Sequence, residues 1–283
     1  MKNNNKVFAE IEAVDTQMLH CSKLNDSFYV RQRSADRIAL FSLTGHMINM
    51  VTAPNTCGPN FILCKRLPPM SEAITEEGWL LDNGNLTIPF MTQINLTNCP
   101  RFNSAERFAI GDFPGHMKNL ISHRIRQPDF AHLHDLDKRI KNISISIREH
   151  LTESAEIPLI KALGFGSGEV ADGDAALCGM LLTARCFVLG KRFKKGWFQR
   201  LAVEIRRMLH RASAHGRNWL RYATEGRMTE NQQFLFAAMS KDFECASEAV
   251  IKKIIEDKII NGKAFLAGVN LTLEMIQDGF FNR

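Results

Sequence analysis

The chain has 283 residues, 45% of them apolar, enough for a sizeable core in one large domain or two ordinary ones, which excludes disorder as the expectation. The net charge of +6 hides an asymmetry: Arg185 to Arg227 carries twelve Lys and Arg against Glu204 and Glu225, a local +10, and the remainder is −4. Seven cysteines, an odd number without a C-x-x-C pair, argue against a disulfide framework or a zinc ribbon and for reduced thiols in a cytoplasmic protein.

Met1-Lys2-Asn3-Asn4-Asn5-Lys6 has no apolar stretch or cleavage site and reads as a loose terminus rather than a secretory signal. From Ser27 to Leu96 the text is strand-like. Arg37 to Leu43 and Met47 to Thr52 flank Thr44-Gly45-His46, a hairpin signal, and further strands are expected over Phe61 to Lys65 and Leu86 to Ile94. Glycines and prolines cut this region into short pieces, which suits an antiparallel β sandwich or barrel better than a parallel sheet.

Around Gly111 to Gly115 the spacing turns helical, which sets a boundary between a mainly β domain over 1–113 and a mainly helical domain over 114–283. The fold class is therefore α+β. Asp174 to Leu189 is apolar on nearly every side and predicts a central buried helix. Its most apolar run is broken by Arg185 and falls short of the roughly 20 residues of a membrane span, so no membrane partner is expected. Leu201, Ile205, Met208, Leu209 and Ala212 form the apolar stripe of a helix that turns Arg200, Arg207 and Arg211 outward. Val250, Ile251, Ile254, Ile255 and Ile259 form a second stripe, and a last helix is expected over Lys263 to Ile276.

One pattern occurs twice: Asp172-Gly173-Asp174-Ala175-Ala176-Leu177-Cys178-Gly179 and Asn261-Gly262-Lys263-Ala264-Phe265-Leu266-Ala267-Gly268, or [DN]-G-x-A-x-L-x-G. Each reads as a helix start, with Asp172 or Asn261 as N-cap and the later glycine admitting a neighbouring helix. The first copy follows Gly164-Phe165-Gly166-Ser167-Gly168, whose backbone N–H groups, with the helix dipole, suit a small anion or a carbamoyl oxygen. Two such turns meeting in space would make one paired site.

The segment Leu163 to Gly179 is similar to the G-x-G-P-G-L-T-P-S-G-D-D-x-L-x-G signature of the AllH-like family, which includes a subunit of oxamate carbamoyltransferase from allantoin degradation. Trp219 to Gly226 resembles that family's L-L-x-x-A-x-x-G helix, Asn261 to Gly268 its S-G-x-D-x-L-x-G segment, and Cys57 to Leu63 its N-terminal G-P-x-x-x-L turn. The resemblance implies a transferase subunit of purine catabolism that binds a small anionic or carbamoyl-bearing substrate and works with partner subunits or as a homo-oligomer. It implies Asp174 and Arg221 as catalytic residues. Gly164, Gly166, Ser167, Gly168, Gly173, Ser213, Asn218, Asn261, Gly262 and Lys263 would bind substrate. The chain departs from the signature in losing both prolines, the threonine and the second aspartate, with Ala175 in that place. In the later segment Ala264 stands where the family has aspartate, and Lys263 beside it favours an anion. These losses motivate an alternative, a non-catalytic structural or ligand-sensing partner.

No metal or cofactor is expected. His116, His123, His132 and His134, with Asp135 and Asp137, lack the spacing of a metal motif. The basic stretch has no nucleic-acid-binding motif beside it, so an acidic protein surface or a small anion is the more economical partner.

Overall fold

The computed structural model describes residues 11–21, 26–53, 55, 57–68, 77–91, 93–127, 133, 138, 141–142, 158–191, 195–241, 247–257 and 259–279. The chain is α+β, divided into two compact units, Met1–Ala105 and Glu106–Arg283. The division falls eight residues before the boundary expected from the sequence. Ile110 explains the shift: it is fully buried, and its N–H donates to the Cys186 carbonyl (3.1 Å), so the stretch before the first long helix belongs to the helical unit.

In the first unit, β1 (Ile11–Asp15), β2 (Asp26–Arg33), β3 (Arg37–Ser42), β4 (Met47–Val51), β5 (Phe61–Cys64), β6 (Trp79–Asp82), β7 (Asn85–Thr87), β8 (Gln93–Asn95) and β9 (Arg101–Phe102) form one curled, half-barrel sheet. Its order is β8-β7-β6-β2-β3-β4-β5-β1-β9, with a short helix, α1 (Thr16–Cys21), after β1. The β3–β4 hairpin turns through Gly45 at φ 84°, a conformation glycine adopts freely, and Ser42 N–H bonds the His46 carbonyl (2.9 Å). The single strand expected over Leu86 to Ile94 is instead the pair β7 and β8. Pro89 cannot donate to a ladder, and the chain reverses between Ile88 and Met91.

Not every pairing is antiparallel: β4 with β5 and β1 with β9 run parallel. The buried Asp15 carboxylate fixes both places. It accepts from the N–H of Asn60 (2.8 Å), which enters β5 at φ 59°, and from the N–H of Ser104 (3.3 Å) just after β9. The core of this unit is built from alternate residues, Ile38 and Leu40, Ile48 and Met50, Ile62 and Cys64, with Trp79 and Phe28.

The helical unit contains α2 (Gly115–Ile125), α3 (Asp172–Leu189), α4 (Lys195–Arg207), α5 (Ala214–Glu225), α6 (Glu230–Lys241), α7 (Ser247–Glu256) and α8 (Gly262–Gln277). As its all-round apolar sequence dictates, α3 is buried from Asp172 through Ala184 and packs chiefly on α8 and α5. The amphipathic helix expected to run to Ala212 stops at Arg207. A 3-10 turn, Leu209–Arg211, follows, because Ser213 caps the start of α5 by accepting from Gly216 N–H (3.1 Å). Gly226 ends α5 at φ 75°, with Arg227 N–H on the Tyr222 carbonyl (2.9 Å). Thr229 and Gln232 bond each other's backbone N–H as a reciprocal box at the start of α6.

The two copies of the repeated pattern pack on each other. A Cβ at Gly179 would lie 2.2 Å from the Phe265 carbonyl oxygen, and one at Gly268 would lie 1.9 Å from that of Ala176. Phe265 and Ala176 occupy the same place in the two copies, so the α3–α8 contact is reciprocal. The first glycines, Gly173 and Gly262, likewise admit the carbonyls of Ala162 and Ile254 from the preceding segments.

Burial raises the thiols of Cys64 and Cys186 to about 12 and raises Cys178 as well. At pH 8 a thiol of pKa about 12 is ionised in about one molecule in ten thousand. Alkylation of the folded protein with iodoacetamide should therefore mark Cys99, which is only half-buried, well before these three. Peptide mapping that found Cys178 modified in folded protein would contradict this packing. Among the described residues no helix is long and apolar enough to cross a membrane.

Candidate functional site

The glycine-dense loop and the start of α3 are stitched together by two carboxylates. Asp174 is fully buried. One of its oxygens accepts from Gly164 N–H (2.8 Å), and the other accepts from both the N–H (2.9 Å) and the hydroxyl (2.8 Å) of Ser213. Burial raises the Asp174 carboxyl above its ordinary value, and the bonds from Gly164 and Ser213 oppose that shift. The Ser213 hydroxyl also accepts from Ala171 N–H (3.3 Å), so this one side chain ties the loop, α3 and α5. Gly216 has to be glycine here, because a Cβ would stand 2.1 Å from an Asp174 oxygen.

Asp172 does not cap α3, contrary to its expected role. Ala171 holds the cap position without a side-chain bond, and Asp172 sits in the first turn. Its carboxylate instead accepts from the Asn261 amide (2.7 Å), which also donates to the Val170 carbonyl (3.2 Å). Asn261 does occupy the cap position of α8, at φ 55°, but its side chain is spent on this cross-link and makes no capping bond. The two repeated turns therefore meet at their equivalent acidic and amide residues.

Gly164, Gly166 and Gly168 all have positive φ, from 69° to 97°, and the arc Gly166-Ser167-Gly168 is exposed. Among the described residues the N–H groups of Gly166, Ser167 and Gly168 find no hydrogen-bond acceptor, and Gly166 lies directly against the Asp172 carboxylate. Behind the arc, His215 Nε2 stands 3.9 Å from the Glu169 carboxylate. The surface thus sets backbone donors beside the buried Asp172 carboxylate, which has one oxygen on the Asn261 amide and the other against Gly166.

The structure brings Gly164, Gly166, Gly173, Asp174, Ser213 and Asn261 into this cluster, with Gly173 N–H on the Phe165 carbonyl (2.9 Å). Gly262 is buried against Ile254, and Lys263 is half-buried one residue on. Asn218 is buried, its amide donating to the Ala214 carbonyl (3.4 Å) while its Oδ1 has no partner. Arg221 stands eight residues beyond Ser213 on α5, about 12 Å along the axis, and makes no hydrogen bond or ion pair to the loop. Gly216 and His215 were not singled out by sequence. The signal for Gly216 was there, a glycine three residues after a capping serine.

His116 and His123 lie in α2, whereas His132, His134, Asp135 and Asp137 lie outside the described residues. Among the described residues no three His, Cys, Asp or Glu side chains converge as metal ligands. No protein-family model, curated protein or solved structure matches the chain, so the arrangement is read from its own geometry.

Proposed function

We propose that the protein is an AllH-like partner subunit that binds a carbamoyl- or amide-bearing small molecule on the Gly166–Gly168 arc without itself catalysing transfer. One observation carries this reading: the acid the family signature retains, Asp174, has no exposed surface and spends both oxygens on three internal hydrogen bonds. A carbamoyl group offers an oxygen to backbone donors and an NH2 to a carboxylate, and the arc pairs free N–H groups with Asp172. Such a subunit would work in a reducing, cytoplasmic setting beside catalytic partners, and the thiols Cys64, Cys99, Cys178 and Cys186, in no disulfide among the described residues, support that setting. We read its first unit as an incomplete barrel rather than a sandwich, since among the described residues all nine strands lie in one sheet.

The transferase reading, with Asp174 and Arg221 as catalytic groups, requires Asp174 to surrender all three bonds before it reaches a substrate. The two readings separate by experiment. Oxamate should raise the melting temperature while oxalate, which lacks the amide, should not. Gly166→Ala, which drives a Cβ to 2.1 Å from the Asp172 carboxylate, should abolish the oxamate shift. Equal shifts with both compounds, or none, would remove the binding proposal. Carbamoyl transfer by the purified protein alone would restore the transferase.

A further inference from the structure

At the far end of α3 from the glycine loop lie three arginines, none of them in an ion pair among the described residues. Arg185, thirteen residues beyond Asp172 and so about 20 Å along the helix, is half-buried. Its guanidinium lies over Gly226, where a Cβ would be 2.1 Å from Nε and 2.3 Å from Cζ. Two residues earlier on the same chain segment, Thr224 accepts from Arg206 Nε (2.9 Å), which brings the α4 cation to the same corner. The third comes from the segment before α2. Ile110 N–H on the Cys186 carbonyl runs that segment past the end of α3, and exposed Arg107, three residues before Ile110, lies near enough for its charge to act on Arg185.

Like charges gathered this way repel. Arg185 is held below the usual guanidinium range, first by burial and then by the charges of Arg107 and Arg206. Among the described residues no Asp or Glu forms an ion pair with any of the three. Of the acids on these segments, Glu204 pairs with Arg207 (3.0 Å) and Glu225 with Arg227 (3.7 Å), and exposed Glu106, next to Arg107 in the chain, forms no ion pair among the described residues. An uncompensated cluster of this kind is a feature that folding alone does not favour, and one that a bound anion would relieve.

We propose that Arg107, Arg185 and Arg206 form a binding site for the phosphoryl group of a small molecule. Three guanidiniums carried by three different segments bring forked donors to one end of α3, and forked donors match the oxygens of a phosphate. Arg185 is half-buried and Arg107 and Arg206 are exposed, and three cations match the charge of a compact phosphorylated ligand rather than that of a polynucleotide. The site is separate from the glycine loop and does not depend on the carbamoyl reading.

The test is titration calorimetry of the full chain with pyrophosphate and with inorganic phosphate, at an ionic strength fixed with chloride. Wild type should bind pyrophosphate, and Arg185→Gln, Arg206→Gln and Arg107→Gln should each weaken binding by about tenfold or more. Arg217→Gln, elsewhere on the basic surface, should leave it unchanged. Arg107 is exposed, so Arg107→Gln should fold normally and, with one repulsion removed, should melt no lower than wild type without ligand. Affinity unaltered in Arg107→Gln and Arg206→Gln would overturn the proposal. So would preferential retention on duplex DNA, with a steep salt slope that Arg217→Gln reduces as much as Arg185→Gln does. Binding of inorganic phosphate as tight as that of pyrophosphate would identify the free ion as sufficient, and weaker binding would point to a larger phosphorylated molecule. Both results support the site.

Discussion

Asp174→Ala should lower the stability of the helical unit by about 2–4 kcal/mol, because three donors lose an ionised acceptor at once, and should lower the melting temperature by roughly 5–15 °C. The donors are Gly164 N–H, Ser213 N–H and the Ser213 hydroxyl. Water can reach the exposed Gly164 more easily than Ser213, and removing a buried carboxylate also removes its desolvation cost, which is why the upper end of the range is not higher. Asp174→Asn should cost less but not nothing. An amide offers one acceptor oxygen and would turn an NH2 toward either Gly164 or Ser213. Thermal and urea unfolding of the two variants measure this directly. A melting temperature unaltered in Asp174→Ala would show that the carboxylate does not hold the loop, and would reopen its assignment to chemistry.

The raised carboxyl of Asp174 also fixes the sign of a pH effect. In the window between the ordinary value of 3.8 and the raised folded value, the folded protein binds more protons than the unfolded chain. Its stability therefore falls as pH rises through that window and levels off above it. Asp174→Asn removes this dependence. The stability difference between wild type and Asp174→Asn should shrink in that pH range as pH increases, and then stay constant.

The second large effect concerns Gly179 and Gly268. Alanine at either places a Cβ about 2 Å from a backbone carbonyl oxygen of the other helix, far inside contact distance, and a carbonyl in a buried helix cannot step aside alone. The helices must separate, at a cost of about 2–4 kcal/mol per substitution after the roughly 1 kcal/mol that alanine gains over glycine in helix propensity. The two contacts are reciprocal, so separation forced by the first alanine already opens space for the second. Gly179→Ala with Gly268→Ala should then cost less than the sum of the single losses by about 1–2 kcal/mol. Full additivity in this cycle would mean that α3 and α8 do not move as a pair.

Much of the secondary structure follows from local spacing. The Thr44-Gly45-His46 hairpin, the buried run of α3 and the apolar stripes of α4, α7 and α8 rest on residues a few positions apart, where side-chain period and glycine conformation act directly. The places where the sequence reading slipped are places where distant residues intervened. α4 stops short because Ser213 starts another helix with its hydroxyl on Asp174, and the parallel β4–β5 and β1–β9 pairs depend on Asp15 reaching Asn60 and Ser104.

The candidate site divides in the same way. Its glycines were legible, since G-x-G-x-G ahead of a helix reports a loop that needs positive φ, and the repeated [DN]-G-x-A-x-L-x-G reported two helices that admit close neighbours. The roles of its acids were not. Asp172 and Asp174 are two residues apart in one motif, yet one faces Asn261 across a separation of 89 residues and the other Ser213 across 39. Whether a carboxylate caps, clamps or meets a ligand is set by which donors the packed chain brings to it, and the local pattern holds no record of them. The same holds for Arg107, Arg185 and Arg206. By itself the sequence determined the helices, the hairpin and the glycine turns, because these rest on neighbours in the chain. Only the tertiary structure decided which charges are paired and which stand together uncompensated, because Coulomb and hydrogen-bond energies depend on distance in space.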